Sequence, residues 1–473
     1  ASFLHLFVRK RWLAVILTVL ILFGGGLGWW WFGKDVAQGY KIGGTQGAIE
    51  IVSHPPHEYT HLDNRTSGKP AGYDAPNNIV WIVPALSFMV HQRSFPIGMA
   101  LALLVLMGFL LYRPDRRAAR FGLLAGTLQL AHNHTFIALA FIFFGFLIVE
   151  YKAWRCYIRF AIITILIAIP FALYLALPTI IHGSNTHFFK PWWGWMTCGH
   201  NMGWLTCDPT TQEGTDRSAL WFWTKNFGMV FVGWALALLY LTVQWFRWRV
   251  VDVNTKLVAA GSLVLFAAPN LFLFQPWDFD NNKIFFWWWV FAIALCGLVL
   301  VKIQNTKQSS TLRVAAIAIF VVMVLPAGAI DTISRLGHFR ANRIGYAGPS
   351  EIQAAEWLKE NTKPNEKILS GSGANHFAPI LAGRPLVLGY EGWLWTEGIQ
   401  YYPRKRIIED FLRGDSGPAC AAGIRIVVTD PGFFNDYKVA ESSMRTDNLT
   451  LLWQDNSAGF RKIYHINCSA FPL

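Results

Sequence analysis

Residues 12–32 read WLAVILTVLILFGGGLGWWWF. The run holds no charge and closes on three tryptophans and a phenylalanine. A helix crosses a bilayer in about 20 apolar residues, so this stretch is long enough to span one. It is too long for a removed secretory leader and lacks the small-residue cleavage site, so it reads as a signal anchor. Comparable apolar runs recur at roughly 96–112, 121–133, 135–149, 158–179, 228–246, 257–274, 284–301 and 314–330. Together these predict about nine spans. The two members between 121 and 149 are short and read as a tilted hairpin or a broken re-entrant element. The expected fold is a polytopic α-helical membrane protein. Its multi-span domain covers residues 1–333, with outer loops at 33–95 and 180–227.

The composition agrees. Of the 473 residues, 53% are hydrophobic and 15% charged, against roughly 25% charged in soluble domains. That excludes a disordered chain, a coiled coil and a single soluble domain of average composition. The formal net charge of +13 raises the question of nucleic acid, and the positions of the basic residues answer it. Arg9, Lys10 and Arg11 precede the first span, and Arg113, Arg116, Arg117 and Arg120 follow the second. Lys152, Arg155 and Arg159 follow the fourth. Arg247, Arg249 and Lys256 join spans six and seven, and Lys302, Lys307 and Arg313 join spans eight and nine. With alternating spans all of these fall on one side, which the positive-inside rule makes cytoplasmic. Much of the basic excess is then a topology signal, and no nucleic-acid partner is expected.

The N-terminus is thus expected in the cytoplasm. The segments 33–95, 180–227, 275–283 and everything beyond 331 lie on the other side, a lumen such as that of the endoplasmic reticulum, or a periplasm. Cys198 and Cys207 share one of these segments and Cys420 and Cys468 another, as suits an oxidising compartment. Cys156 and Cys296 lie elsewhere. The acceptor triplets Asn64-Arg-Thr, Asn448-Leu-Thr and Asn467-Cys-Ser also fall on the outer side and are candidate glycosylation sites.

From about residue 345 to 473 the composition becomes that of a small α/β domain. Ser350 followed by Gln353 reads as a capping box opening a helix. Strand-like runs follow at 367–370, 385–388, 424–428, 449–453 and 462–466, with a helical stretch at 404–412; such alternation marks an α/β layer. Gly371-Ser-Gly373 has the look of a phosphate loop and, more simply, of a tight turn. The run from Gly389 to Gly398 sets Trp393 and Trp395 beside two glutamates. It reads as a sugar-stacking or headgroup-docking surface, or as a packed loop.

Four polar clusters border the outer membrane face. Asp35 follows the first span and could act as a general base on an acceptor hydroxyl, or be a solvated interfacial charge. His54, His57 and His61, with neighbouring carboxylates, are of the right chemistry for a divalent cation. Pro55 and Pro56 keep them off a helix, and a polar loop is the plainer reading. His132-Asn-His134 interrupts an apolar hairpin, where polar groups are expensive and usually functional or well paired. Asp278, Asp280 and Lys283 crowd the turn between spans seven and eight, as phosphate or metal ligands or as helix caps. Trp193 and Trp195 add aromatic faces, for interfacial anchoring or carbohydrate stacking.

These features together resemble the GT-C superfamily of membrane glycosyltransferases. Asp35 sits early in the first outer loop. The stretch Gly122-Leu-Leu-Ala-Gly126-Thr-Leu-Gln-Leu-Ala-His132-Asn-His134 looks like the short paired spans of such enzymes. The turn Trp277-Asp278-Phe-Asp280-Asn-Asn-Lys283 resembles their Asp-Asn-x-Lys turns. A terminal outer domain opening with Ala355-Glu-Trp-Leu-Lys-Glu-Asn-Thr is similar too. The resemblance implies a polyprenyl-phosphate-linked sugar as donor, inverting transfer, and Asp35 as base. His132, His134, Asp278, Asp280 and Lys283 would hold the donor phosphate, directly or through Mg or Mn. The alternatives are a non-catalytic GT-C-like subunit of a larger membrane complex and, with less support because no internal repeat is visible, a lipid or solute transporter.

Overall fold

The computed structural model describes residues 1–61, 79–90, 92–113, 116–182, 189–197, 218–246, 251–304, 310–337, 347–445, 447–455 and 461–468. They form two units, residues 1–175 with 188–341, and 176–187 with 342–473.

The first unit is helical. Its elements are α1 (Ser2–Val8), α2 (Arg11–Phe23), α3 (Gly28–Ser53), α4 (Ser94–Tyr112), α5 (Phe121–Gly126), α6 (Leu128–Ala131) and α7 (Asn133–Val149). They continue with α8 (Trp154–His182), α9 (Ala219–Phe246), α10 (Val253–Leu271), α11 (Asn282–Gln304), α12 (Ser310–Val324) and α13 (Pro326–Gly337). A short pairing joins β1 (Lys190–Pro191) to β2 (Phe272–Leu273). Among the described residues, four helices are long and apolar enough to cross a membrane, and six if each of two bent pairs counts as one span. On these helices the chain is a multi-pass membrane protein. The other expected segments are α5 with α6, the 17-residue α7, and α10, all packed among the long helices.

The core is α11. A helix apolar on every face has to be buried on every face, and Phe285, Phe286, Trp287, Trp288, Trp289 and Phe291 are each 0–1% exposed. The helices α2, α7, α9, α10 and α12 pack around it. Trp288 meets Phe227 and Trp234 of α9 at ring-centroid distances of 4.4 and 5.4 Å.

The run 12–32 is not one straight span. Helix α2 stops at Phe23, the chain turns through Gly24-Gly25-Gly26, and α3 leaves at 66°. The turn is pinned by backbone contacts: Gly25 N donates to Val324 O at 2.9 Å and Leu27 N to Lys225 O at 2.8 Å. A Cβ on Gly26 would stand 2.2 Å from Lys225 O, and one on Gly28 1.6 Å from Tyr59 O, so only glycine permits this approach. The run 314–330 breaks the same way, with a 50° bend between Val324 and Pro326. The segment after the first apolar run therefore begins as helix, with Asp35 on α3. The 121–149 segment is likewise broken, into α5, α6 and α7.

Segments assigned to one side by their charge meet one another. Arg113, after α4, donates to Glu150, after α7, at 3.0 Å and to Asn254, at the start of α10, at 2.6 Å. At the other end, Trp195 Nε1 donates to Asp278 O at 2.8 Å.

The second unit holds a four-stranded sheet of β3 (Ile368–Leu369), β4 (Ile426–Thr429), β5 (Leu449–Gln454) and β6 (Lys462–Ile466), in the order β3-β4-β6-β5. Strand β3 is parallel to β4, and the other pairs are antiparallel. Leu386 adds a single bridge to Ile368. Beside the sheet lie α14 (Pro349–Asn361), α15 (Phe377–Ile380), α16 (Glu391–Thr396), α17 (Tyr402–Leu412), α18 (Gly417–Ala421) and α19 (Pro431–Asp436). The cap of α14 is Gly348, whose N–H donates to Glu351 at 2.7 Å. Ser350 instead accepts from Arg461 at 2.7 Å. Gly371-Ser-Gly373 is irregular chain after β3 and lies beside an acid: the Ser372 N–H donates to the Asp436 carboxylate, a neighbour that repels phosphate.

Cys420 and Cys468 form a disulfide that ties α18 to the end of β6. Reducing it, or Cys468→Ser, is expected to destabilise this unit by about 2–5 kcal/mol, read as faster hydrogen exchange of the β4 and β6 amides.

His376 caps α15 by accepting from Ala378 N at 3.1 Å, and its Nε2 pairs with Ser370 Oγ at 3.1 Å. Burial pushes the imidazole down from 6.5 to about 4, against an upward pull from Asp430 and Glu351 and with a downward push from Arg461. The folded form favours the neutral ring, so the unfolded chain binds the extra proton between these values. Stability of this unit is expected to be full above pH 6.5 and to fall as the pH drops towards 4. A denaturation series over pH 4–8 checks this, and His376→Gln should flatten that slope.

Candidate functional site

The turn before α11 is fixed by one amide. Asn281 Nδ2 donates to Pro269 O at 2.9 Å and Phe272 O at 2.8 Å, while its Oδ1 accepts from Phe274 N at 3.4 Å. This clamps the turn to the end of α10. Asp280 is buried, and its carboxylate meets Lys283 Nζ at 2.8 Å. Asp278 is half-buried and supplies its carbonyl to Trp195.

Facing this pair are the two histidines of the α6–α7 break. His132 is the N-cap of α7: its Nδ1 accepts from Thr135 N at 3.2 Å and lies 2.9 Å from Thr135 Oγ1. Trp287 Nε1 donates to the same hydroxyl at 3.3 Å, tying the cap to α11. His134 is 4% exposed, and its Nε2 has no hydrogen-bond partner among the described residues. The two rings are 5.8 Å apart. Lys283 is close enough to interact electrostatically with both. An orphaned ring nitrogen in an apolar interior is costly, and a charged-site ligand would relieve it.

Asp35 belongs to a second cluster in the same unit. Its Oδ2 accepts from Tyr59 Oη at 2.5 Å. His57 packs edge-on against Tyr59, with centroids 6.2 Å apart. Burial lowers the His57 pKa, and the Asp35 carboxylate opposes this by favouring the imidazolium. Tyr59 is held by a residue that the sequence did not single out. Asp331 on α13, 3% exposed, accepts from Tyr59 N at 2.8 Å, Thr60 N at 2.8 Å and Thr60 Oγ1 at 2.6 Å. Its only signal in the sequence was an acid set directly at the end of an apolar run. Arg335, one turn further on, pairs with Glu58. The two clusters touch through His61 and Phe279, whose rings are 6.1 Å apart.

Among the described residues the histidines of the first loop do not come together as a metal-binding group. His54 pairs with Glu50 at 3.2 Å, His57 lies on Tyr59, and His61 sits 4.0 Å from Glu58. Among the described residues no group of three or more His, Cys, Asp or Glu side chains is placed to hold a metal ion. Of the aromatic candidates, Trp195 is fully buried, stacked on Trp223 at 5.7 Å, so it has no face for a sugar. Trp193, Trp393 and Trp395 are 48%, 60% and 36% exposed. Asn448 is half-buried and Asn467 exposed, and the Asn467 amide donates to Thr450 at 3.1 Å. Asn64, Cys198 and Cys207 lie outside the described residues.

No family model matches the chain, and no curated protein matches it. Among the solved structures that align with it are two of the Archaeoglobus fulgidus oligosaccharyltransferase. The apo form is 11% identical with a TM-score of 0.40. The form tethered by a disulfide to an acceptor peptide with the NVT sequon is 13% identical with a TM-score of 0.36. Each alignment covers 100% of this chain and 62% of the other, so the chain spans about three fifths of that length.

Asp331→Ala would leave two buried N–H groups and a hydroxyl without an acceptor. It is expected to cost about 3 kcal/mol, seen as a lower unfolding midpoint in detergent. Asp331→Asn keeps one acceptor and should lose less.

Proposed function

We propose that the chain is a membrane glycosyltransferase that moves a sugar from a lipid-linked phosphate to an acceptor hydroxyl on the non-cytoplasmic side. The observation that carries the proposal is the buried His134 Nε2, without a hydrogen-bond partner among the described residues and within electrostatic reach of Lys283. A donor and an imidazole at membrane depth suit an anionic oxygen far better than a neutral group. In the proposed reaction the acceptor O–H gives its proton to Asp35 as its oxygen attacks the anomeric carbon. The bond from that carbon to the phosphate oxygen breaks, and the phosphate leaves with the electron pair. Lys283 and His134 stabilise the charge that gathers on the leaving group. Tyr59 holds the Asp35 carboxylate through its hydroxyl.

The proposed donor site carries little net charge, because Asp280 already neutralises Lys283. That pairing also suits the second reading, a non-catalytic subunit of a larger assembly in which the ion pair only closes the turn.

Turnover of a labelled polyprenyl-phosphate sugar by the purified protein tests the choice. Asp35→Asn is expected to lower kcat by at least about 100-fold. Lys283→Ala is expected to lower kcat/KM by a similar factor. Turnover unchanged in both variants removes the site assignment. No turnover together with a stoichiometric copurifying partner favours the subunit reading.

A further inference from the structure

Helices α7 and α8 form a hairpin joined by the short helical turn Tyr151–Ala153. Between its arms lies a cavity of about 310 Å³, lined by Phe136, Ala140 and Phe144 of α7 and by Ile158, Ala161 and Ile165 of α8 among others. Phe143 meets Phe160 at 4.2 Å and ties the two walls together. Phe144, Ile158 and Ile165 are exposed, so the groove is open along its side. Its two hydroxyls are already used. Thr164 Oγ1 donates to Phe160 O at 2.8 Å, and Tyr157 Oη to Glu150 at 2.6 Å. The groove therefore takes an apolar occupant, and the polar groups at its ends decide which one.

At 3.6 residues per turn, His134 falls on nearly the opposite face of α7 from Phe136, Ala140, Phe143 and Leu147, so the groove does not lead to it. The other end is built differently. The stripe of Ile158, Ala161 and Ile165 extends by helical spacing back to Trp154, the first residue of α8. Tyr151 stands just past the end of α7. Each of these two rings carries a cation. Lys152 Nζ lies 5.9 Å from the Tyr151 ring centroid, and Arg155 Cζ 5.6 Å from that of Trp154. All four side chains are exposed, and among the described residues neither cation is in an ion pair. The nearby carboxylate, Glu150, is already neutralised by Arg113 at 3.0 Å. Aromatic rings with basic heads above them are the equipment of a bilayer interface, and each such cation attracts anionic headgroups. From Leu147 to Phe136 the groove runs about 16 Å at 1.5 Å per residue. One leaflet of hydrocarbon is about 15 Å deep, so the groove is as long as a leaflet is thick.

We propose that the hairpin binds one anionic glycerophospholipid from the leaflet at its basic end, with an acyl chain in the groove and the headgroup phosphate between Lys152 and Arg155. The inference stands apart from the glycosyltransferase reading, because it uses no residue of the His134, Lys283 or Asp35 clusters. An uncharged lipid would fill the groove without engaging the cations. A soluble anion would engage the cations without gaining anything from the groove.

Native mass spectrometry of the full-length protein in detergent tests this, with palmitoyl-oleoyl phosphatidylglycerol titrated against the matching phosphatidylcholine. The parent is expected to hold one phosphatidylglycerol at least about tenfold more tightly than phosphatidylcholine, as two basic side chains at a headgroup imply. Lys152→Gln combined with Arg155→Gln should abolish that preference. Ala140→Trp and, separately, Ala161→Leu fill the groove and leave the cations in place. Each should weaken phosphatidylglycerol at least about tenfold, since the buried length of acyl chain is lost. An unaltered elution profile and unfolding midpoint confirm that the variants fold, and the exposed glutamine pair keeps the test decisive if a groove variant does not. Equal binding of the two lipids by the parent overturns the proposal, and so does an unchanged preference in the glutamine variant. If the glutamine variant loses the preference while both groove variants bind as the parent does, the cations are a plain surface patch and the groove assignment fails.

Discussion

Everything in the helical unit depends on the burial of α11. Three consecutive tryptophans, Trp287 to Trp289, point to different faces of one helix, and each is at most 1% exposed. No single partner helix covers three faces, so α2, α7, α9, α10 and α12 must surround them. In lipid this is not a hydrophobic demand, because tails are as apolar as the side chains. It is a packing demand, met by ring contacts such as Trp288 on Phe227 at 4.4 Å. The consequence for the site is direct. The first turn of α11 carries Lys283, so the most enclosed helix also aims a cation that interacts electrostatically with both His132 and His134.

The bends of the first and last apolar runs are one feature. Gly25 N donates to Val324 O, and a Cβ on Gly328 would stand 2.1 Å from Phe23 O. The two breaks lie back to back, each filling the other's gap. Helix α3 leaves the first bend carrying Asp35. Helix α13 leaves the second carrying Asp331. The 54–61 loop donates to Asp331 through its Tyr59 and Thr60 backbone N–H groups and to Asp35 through the Tyr59 hydroxyl. Two residues nearly 300 apart thus act on one tyrosine.

Hydropathy made the apolar runs legible because burial in a bilayer selects composition over some twenty residues. It could not show the bend at Gly24-Gly25-Gly26, since glycine breaks a helix without changing how apolar the run reads. It could not rank Trp193 against Trp195 either. Neighbours two apart have the same chemistry, yet one is exposed and the other lies under Trp223, a contact set by tertiary packing. The edge of α14 was misplaced because Ser350 has the cap chemistry, while Gly348 and Glu351 have the geometry. The runs 449–453 and 462–466 were legible because a ladder requires their extended, β-rich pattern. Of the site, His132, His134, Asp280 and Lys283 stood out as polar residues in apolar surroundings. Asp331 did not, because its partners Tyr59 and Thr60 are more than 270 residues away.

The pairing of Lys283 with Asp280 has a further meaning for that cluster. A lone ammonium beside two buried imidazoles would be expensive, because desolvation penalises it and leaves nothing to offset the cost. The carboxylate at 2.8 Å makes the resting arrangement affordable. It also sets the terms on which an anion can enter. The ligand has to share or replace the Asp280 contact, so its attraction is the difference between two charge pairs rather than the full strength of one. Selectivity then falls on what Asp280 lacks, namely oxygens that also reach His134 Nε2. A phosphate presents more oxygens, in a tetrahedral arrangement, than the two coplanar oxygens of a carboxylate, so it can serve both groups over a wider range of geometries. On the proposed reading, the orphaned imidazole, more than the cation, would therefore tell one anion from another at this turn.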